Sequence, residues 1–446
     1  MAQTKSLDSH IEMTRVEVAG RSESPAFHHS VANLMSRGRR WVPLAVFAAS
    51  ILITLTFWRL LPNSYRLNEQ SDYFAAYEPL ARNILAGNGL SFEGQFPTTS
   101  YPPGYGILLA GVFGICQRLG LPEETGLSAL DLICMALVSV FVFLITQMGW
   151  GIKPAILSSL IWMTYPFALW LTKQPNSELP FMVVLYGGFG IFWAALIRRM
   201  PARVYFLCGF VFGVAMLIRP IAIGIGLVLS GVLWFSRREL ARRVRCLMIT
   251  MLLLGNLLAI LPWESWVYLK TGQVILLSTN GVKSMRDGLT FAVEPKGYRV
   301  QSKLPPDVLR VMEDIKAHEN ELTTFVNIAG FVSREFRTHP LPMAKLFLFK
   351  LARSWYATDS QRNEVPILLI QLIYFAVVVW ASWKLWTLGG IHRTFLTGNL
   401  AVVAYFWGMT LLTLSILRYM VPAVGLTFVL IAVAMNRGRI PNKTAG

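Results

Sequence analysis

Four charged residues sit where an apolar chain has little use for charge. Asp72 lies in NEQSDYFAAYEPLARNILAGNGL, Glu178 in KQPNSELPF, Arg219 in LIRPI and Arg418 in ILRYMVP, each beside the end of an apolar run. Carboxylates and guanidinium groups gathered at one membrane boundary would have a definite chemistry. A guanidinium fork holds a phosphate through paired N–H donors, and a carboxylate can take the proton of an attacking hydroxyl. The plainer readings are that the long side chains snorkel to water and that Asp72 only caps a helix. Arginine on the outer side runs against the positive-inside bias, and a guanidinium in an apolar crevice needs an anionic partner. A lipid phosphate, with its tail in the bilayer and its headgroup at the interface, suits such a set better than a soluble metabolite does.

The motifs of other chemistries are missing. There is no GxxxxGK[ST], no GxGxxG after a strand, no HExxH and no GxSxG, which removes the usual signatures of nucleotide-driven and hydrolytic enzymes. His28, His29, His318, His339 and His392 show no ligand spacing and read as solvated. Cys116, Cys134, Cys208 and Cys246 occur singly in or beside apolar runs and read as buried packing residues.

The elements that must position these residues follow from composition. Of 446 residues, 54% are hydrophobic and 15% charged, with the apolar residues in blocks long enough to cross a bilayer. The expected fold is an all-α polytopic membrane protein. The blocks 41–61, 127–148, 154–172, 179–197, 203–218, 220–235, 246–263, 365–386, 396–416 and 419–435 give about ten spans. A net charge of +17 could indicate nucleic acid, but the basic residues cluster in short breaks such as RGRR at 37–40, RRMPAR at 198–203 and RRELARRVR at 237–245. They read as cytoplasmic loops and exclude nucleic acid as the partner. With those loops inside, both termini are cytoplasmic, and Asp72, Glu178, Arg219 and Arg418 all emerge outside. The expected division is a tail 1–40, a core 41–263 with a first outer loop 62–126, an extracytoplasmic segment 264–364, and C-terminal helices within 365–446.

Parity also bears on SYPPGYG, residues 100–106. Residues 62–103 and 121–126 are both outside, so the intervening GILLAGVFGI cannot cross and reads as an interfacial or re-entrant helix started by Pro102 and Pro103. Upstream, Tyr73, Tyr77, Leu80, Ala81 and Ile84 share one helical face, which Gly87 and Gly89 terminate. An amphipathic helix is expected over 307–337, and a second stretch, 341–356, carries Lys345, Lys350 and Arg353 around an apolar face at the outer boundary.

The series Asp72, Tyr77, Ala81, Leu85, Gly87 and Gly89, followed by YPPGYGILLA, resembles the first outer loop of the GT-C superfamily of integral-membrane glycosyltransferases. It is similar in particular to bacterial relatives of the dolichyl-phosphate-mannose protein mannosyltransferases and of the aminoarabinose and lipopolysaccharide-core sugar transferases. SELPF at 177–181, GVAMLIRP at 213–220, the stretch 261–288 and LRYMVPAV at 417–424 extend the resemblance over about 41–435. The resemblance implies transfer of a sugar from a polyprenyl-phosphate donor to an acceptor hydroxyl on the outer face, usually with inversion. Asp72 matches the family's catalytic aspartate, the general base. Glu178 stands where many members carry a second acidic residue, often Asp, which leaves acceptor binding, metal binding or neither open. Tyr101 occupies the position where the sugar-to-lipid-A members have a lysine. That makes Arg219 and Arg418 the better phosphate contacts, with Lys283 and Arg286 as further candidates and Tyr77 on the substrate side.

The implied acceptor is a glycan, a lipid or a protein, and the implied location is a bacterial inner membrane. No cofactor is certain, although a carboxylate pair leaves a divalent ion such as Mg or Mn open. The rival reading from another class is a flippase for a lipid-linked saccharide. No inverted repeat or pair of Gly/Pro-interrupted spans supports it, and large outer segments are hard to explain in a carrier.

Overall fold

A computed structural model describes residues 41–62, 72–92, 97–291, 304–359, 361 and 363–436. The basic run 37–40, His28, His29 and the C-terminal charges after Asn436 therefore lie outside the described residues. The chain divides into residues 1–45 and a single unit, 46–446, and the architecture below is that of the larger unit.

The described residues are helical, with one isolated bridge between Ser91 and Pro97 and no strand. Seven helices are long and apolar enough to cross a membrane: α1 Val42–Leu60, α4 Glu123–Trp150, α7 Glu178–Ile197, α10 Arg242–Thr271, α15 Glu364–Leu388, α16 Gly390–Leu412 and α17 Leu417–Met435. The protein is a multi-pass α-helical membrane protein. The remaining three expected spans are helical but short. The block 154–172 breaks into α5 Ile152–Met163 and α6 Pro166–Leu171 because Pro166 forces Tyr165 into an extended conformation. The blocks 203–218 and 220–235 become α8 Ala202–Ile218 and α9 Ile225–Ser236. A hydropathy run counts apolar residues and does not register where a proline stops the helix inside it.

Residues 73–77 form one π turn that runs into α2 Glu78–Leu85, and α3 spans Gly104–Leu119. At sixteen residues, α3 is shorter than a span. The amphipathic stretch 307–337 is two helices, α12 Pro306–Ala317 and α13 Phe325–Thr338, followed by α14 Pro340–Arg353 and preceded by α11 Asn280–Leu289. Their apolar faces close a small second core around Val308, Val311, Ile315, Met343 and Leu346.

The main core is organised on α17, nearly all of which is buried against α4, α5, α15 and α16, whereas α1 and α15 turn most of their apolar surface outward. Helices α8 and α10 touch backbone to backbone. A Cβ on Gly209 would collide with the Leu252 carbonyl, and one on Gly255 with the Phe206 carbonyl. Small residues at such a crossing allow the close van der Waals contact on which helix association in a membrane depends.

Three side-chain expectations change. Cys246 is exposed, although Cys116, Cys134 and Cys208 are buried. His392 is buried, with its Nδ1 accepting the Trp150 indole N–H at 3.0 Å. On α14, Lys345 pairs with Asp307 at 2.7 Å, but Lys350 and Arg353 are buried. Lys350 donates to the carbonyls of Gly288 and Thr413 at 2.5 and 2.9 Å, and Arg353 forks onto Glu364 at 2.9 Å through each Nη. An amphipathic pattern marks which face is apolar but does not show that neighbouring carbonyls and a carboxylate wait there for the charges.

Candidate active site

Four elements bring the singled-out residues to one end of the bundle. Glu178 is the first residue of α7. Arg219 follows α8 with φ −142° and ψ 120°, because Pro220 bars the helical conformation from the residue before it. Arg418 lies in the first turn of α17, and Asp72 enters the π turn. The SYPPGYG turn then locks the first outer loop onto this end. A Cβ on Gly104 would come 2.5 Å from the Leu217 carbonyl oxygen, and one on Gly106 would come 2.5 Å from Leu80. Those two glycines let α3 lie directly on the end of α8 and on α2. Below them Tyr77 packs between Tyr101 and Tyr105, tilted against the first and edge-on to the second, with ring centroids at 5.0 and 4.8 Å.

At the centre is a buried carboxylate between two guanidinium groups. Glu178 Oε1 is 2.8 Å from Arg219 Nη1 and 3.1 Å from Arg418 Nε. Arg219 Nη1 also donates to Ser177 Oγ at 2.8 Å, and Tyr419 lies under both arginines, 5.0 and 5.3 Å from its ring centroid. The contacts of Glu178 Oε1 with Arg418 Nε are Coulombic, since neither atom completes an aligned hydrogen bond among the described residues. Arg418 then reaches outward to two half-exposed carboxylates, Asp72 at 3.7 Å and Asp359 at 3.6 Å. Both distances exceed a hydrogen bond, so neither carboxylate takes up an Arg418 N–H directly.

Asp72 makes no cap hydrogen bond to the helix it precedes, which removes the plain capping role. Its Oδ1 instead accepts the Tyr101 hydroxyl at 3.4 Å. Burial and the neighbouring Asp72 charge push the Tyr101 phenol up, and burial does the same for Tyr77. Both rings therefore stay protonated and can donate.

Arg286 goes elsewhere, pairing with Asp287 at 2.9 Å and Glu319 at 3.1 Å, and Lys283 is exposed on the same helix. No ion pair among the described residues joins either to the Arg418 cluster. Sequence reasoning missed Asp359, Ser177 and Tyr419. The signal for Asp359 was weak: one of two acidic residues in the polar break TDSQRNE before a span. Ser177 and Tyr419 adjoin residues already singled out.

Among the described residues no three His, Cys, Asp or Glu side chains converge. The two exposed carboxylates share Arg418, whose fixed positive charge opposes a divalent ion between them. What the arrangement offers is an anion site on arginine beside an accessible carboxylate, with a tyrosine hydroxyl on that carboxylate.

No family model and no curated protein matches the chain. Among solved structures, it is similar to the apo oligosaccharyltransferase of Archaeoglobus fulgidus, at 11% identity and a TM-score of 0.53, over 90% of this chain and 51% of that one. Matches also join it to the oligosaccharyltransferase AglB of the same organism in complex with an inhibitory peptide and a dolichol-phosphate (12% identity, TM-score 0.49, 90% and 51% of the chains). A further match is ArnT from Cupriavidus metallidurans bound to undecaprenyl phosphate (14%, 0.43, 90% and 78%). The chain spans about half the length of the oligosaccharyltransferases. The likeness to the apo oligosaccharyltransferase is one of fold, an all-α polytopic arrangement of the kind the outer-loop resemblance implied.

Proposed function

We propose that the protein is a membrane glycosyltransferase that moves a sugar from a polyprenyl-phosphate donor to an acceptor hydroxyl on the extracytoplasmic face, with inversion. The observation that carries this reading is Asp72, which lacks a capping role and faces Arg418 across 3.7 Å beside the buried Glu178–Arg219 pair. The fold, shared with an archaeal oligosaccharyltransferase, agrees with glycosyl transfer without requiring it.

In the proposed step the acceptor oxygen attacks the anomeric carbon while its proton passes to Asp72. The bond from that carbon to the phosphate oxygen breaks, and the electron pair leaves with the lipid phosphate. Arg418 receives that anion, and Arg219 supports it through Glu178. The departing phosphate is weakly basic and needs no general acid, so one carboxylate serves where glycoside hydrolysis uses two. Tyr101 holds Asp72 by its hydroxyl, and Tyr77 buttresses Tyr101. Glu178 holds the two arginines side by side and oriented, a positioning role. The termini are assigned to the cytoplasm, the membrane to a bacterial inner membrane and the acceptor to a cell-envelope glycan, lipid or protein, on the charge bias and the outer-loop resemblance.

The test is transfer by the wild type and Asp72→Asn from labelled undecaprenyl-phosphate sugars, following free lipid phosphate and labelled acceptor together. Label reaching an acceptor only in the wild type supports the base. Full transfer by Asp72→Asn would remove it. Consumption of no donor, together with faster passage of labelled lipid across the bilayer, would replace the enzyme by a flippase.

A further inference from the structure

A small polar cavity adjoins the charge cluster and has no part in the step above. It is about 80 Å³ in volume and is lined in part by Phe291, Arg353, Asp359, Gln361 and Ser415. That is room for about six waters, enough for one hydroxyl-bearing edge of a sugar ring and too little for a chain of rings. Asp359 forms part of its wall and lies 3.6 Å from Arg418, so a group seated in the cavity sits next to the proposed phosphate site.

The charges around it select a neutral ligand. Asp359 repels an anion, and the charge of Arg353 is already met by Glu364. A cation would find the Asp359 carboxylate already facing Arg418 at 3.6 Å. The hydrogen-bonding groups select further. Arg353 is 4% exposed, yet its Nε has no acceptor among the described residues, and the buried Gln361 Oε1 has no donor there. A buried donor and a buried acceptor left unmade cost about 1–3 kcal/mol each. A hydroxyl is the neutral group that serves as either partner, and neighbouring hydroxyls serve both at once. The Phe291 ring, 5.1 Å from the Arg353 guanidinium carbon, supplies an apolar wall for C–H groups. Phe291 and Gln361 are also two of the five described non-glycine residues with positive φ, at 59° and 54°. Such backbone costs energy and clusters where a ligand is held.

We infer that this cavity binds the hydroxyl-bearing ring of a sugar and that Phe291, Arg353 and Gln361 set which ring is accepted. The inference rests on the transferase reading for its role in catalysis, while binding of a ring stands independently of it. The ring belongs either to the donor or to the acceptor.

The experiment compares wild type, Gln361→Met and Phe291→Ala on two series in which single hydroxyls are replaced by hydrogen, one on the donor sugar and one on a saccharide acceptor. In the wild type one deoxy position should lower kcat/KM about tenfold to a hundredfold, the value of a hydrogen bond to a charged or buried partner. Gln361→Met should abolish that discrimination, and Phe291→Ala should raise KM for the intact sugar with bare polyprenyl phosphate binding unchanged. Loss of discrimination in the donor series seats the donor ring in the cavity; loss in the acceptor series seats the acceptor ring. Unaltered discrimination in both series, with transfer intact, means that water alone fills the cavity and overturns the inference. If the wild type consumes no donor, the transferase reading falls first. Saturation-transfer NMR with methyl glycosides then decides the cavity by itself. Signal in the wild type that is lost in Gln361→Met retains it, and no signal in the wild type overturns it.

Discussion

Replacing Glu178 by Gln tests the central charge arrangement most directly. Its Oε1 stands 2.8 Å from Arg219 and 3.1 Å from Arg418. With an effective dielectric of about 20, Coulomb's law gives about 5–6 kcal/mol for each contact. Desolvation of a carboxylate and two guanidinium groups offsets most of that, several kcal/mol per ion, so the intact trio contributes little net stability. Removing only the anion is different, because buried Arg219 is then left uncompensated and Arg418 keeps only the looser pairs with Asp72 and Asp359, at 3.7 and 3.6 Å. The expected cost is about 3–5 kcal/mol. In detergent micelles Glu178→Gln should therefore melt several degrees below wild type. The same loss leaves the arginines hungry for an anion, so bare polyprenyl phosphate should raise the melting temperature of the variant more than that of wild type. Transfer should fall nonetheless, because the arginines are no longer held in register with Asp72. A variant as stable as wild type would mean that water already screens the trio. A destabilised variant that lipid phosphate does not rescue would refute the assignment of Arg219 and Arg418 to the leaving phosphate.

Other perturbations read separate parts of the site. Gly104→Ala places a Cβ 2.5 Å from the Leu217 carbonyl oxygen, so α3 must retreat by about 1 Å to reach ordinary contact. The chain should still elute as a folded monodisperse species while transfer falls about a hundredfold, the scale of a 1 Å misplacement. Burial pushes the Lys350 ammonium from 10.5 down to about 7, so the native state resists a proton that the unfolded chain accepts. Stability should be lowest below about pH 7 and climb toward pH 10, by at most about 1.4 kcal/mol per unit. Lys350→Met should flatten that climb in pH-dependent melting while lowering stability at pH 8, because the Gly288 and Thr413 carbonyls lose their donor. Arg418 meets both Asp72 and Asp359, so chelation with EDTA should leave transfer within twofold of its untreated rate in washed membranes, and a larger loss would place a divalent ion on those carboxylates.

The sequence by itself determined the class of the protein and the identity of most of its central residues. Apolar runs of span length have few alternatives to helices in a bilayer, because backbone groups there must be satisfied within the segment. The positive-inside bias then placed Asp72, Glu178, Arg219 and Arg418 on one side, and in the structure the four meet at one end of the bundle. The prolines and glycines of SYPPGYG marked a turn, though the reason for Gly104, a backbone contact with α8, is a fact of packing. Only the tertiary structure decided which cations belong to the site. Arg286, Lys350 and Arg353 carry the same kinds of charge as Arg418, but they are taken up by Asp287 and Glu319, by two carbonyls and by Glu364. Asp359 was equally undecidable, being one carboxylate in a polar break until folding set it 3.6 Å from Arg418. Periodicity and charge bias are properties of a segment and its neighbours in the chain. Pairing depends on which segments the fold brings together, and here the partners of Arg418 at residues 72, 178 and 359 come from three distant parts of the sequence.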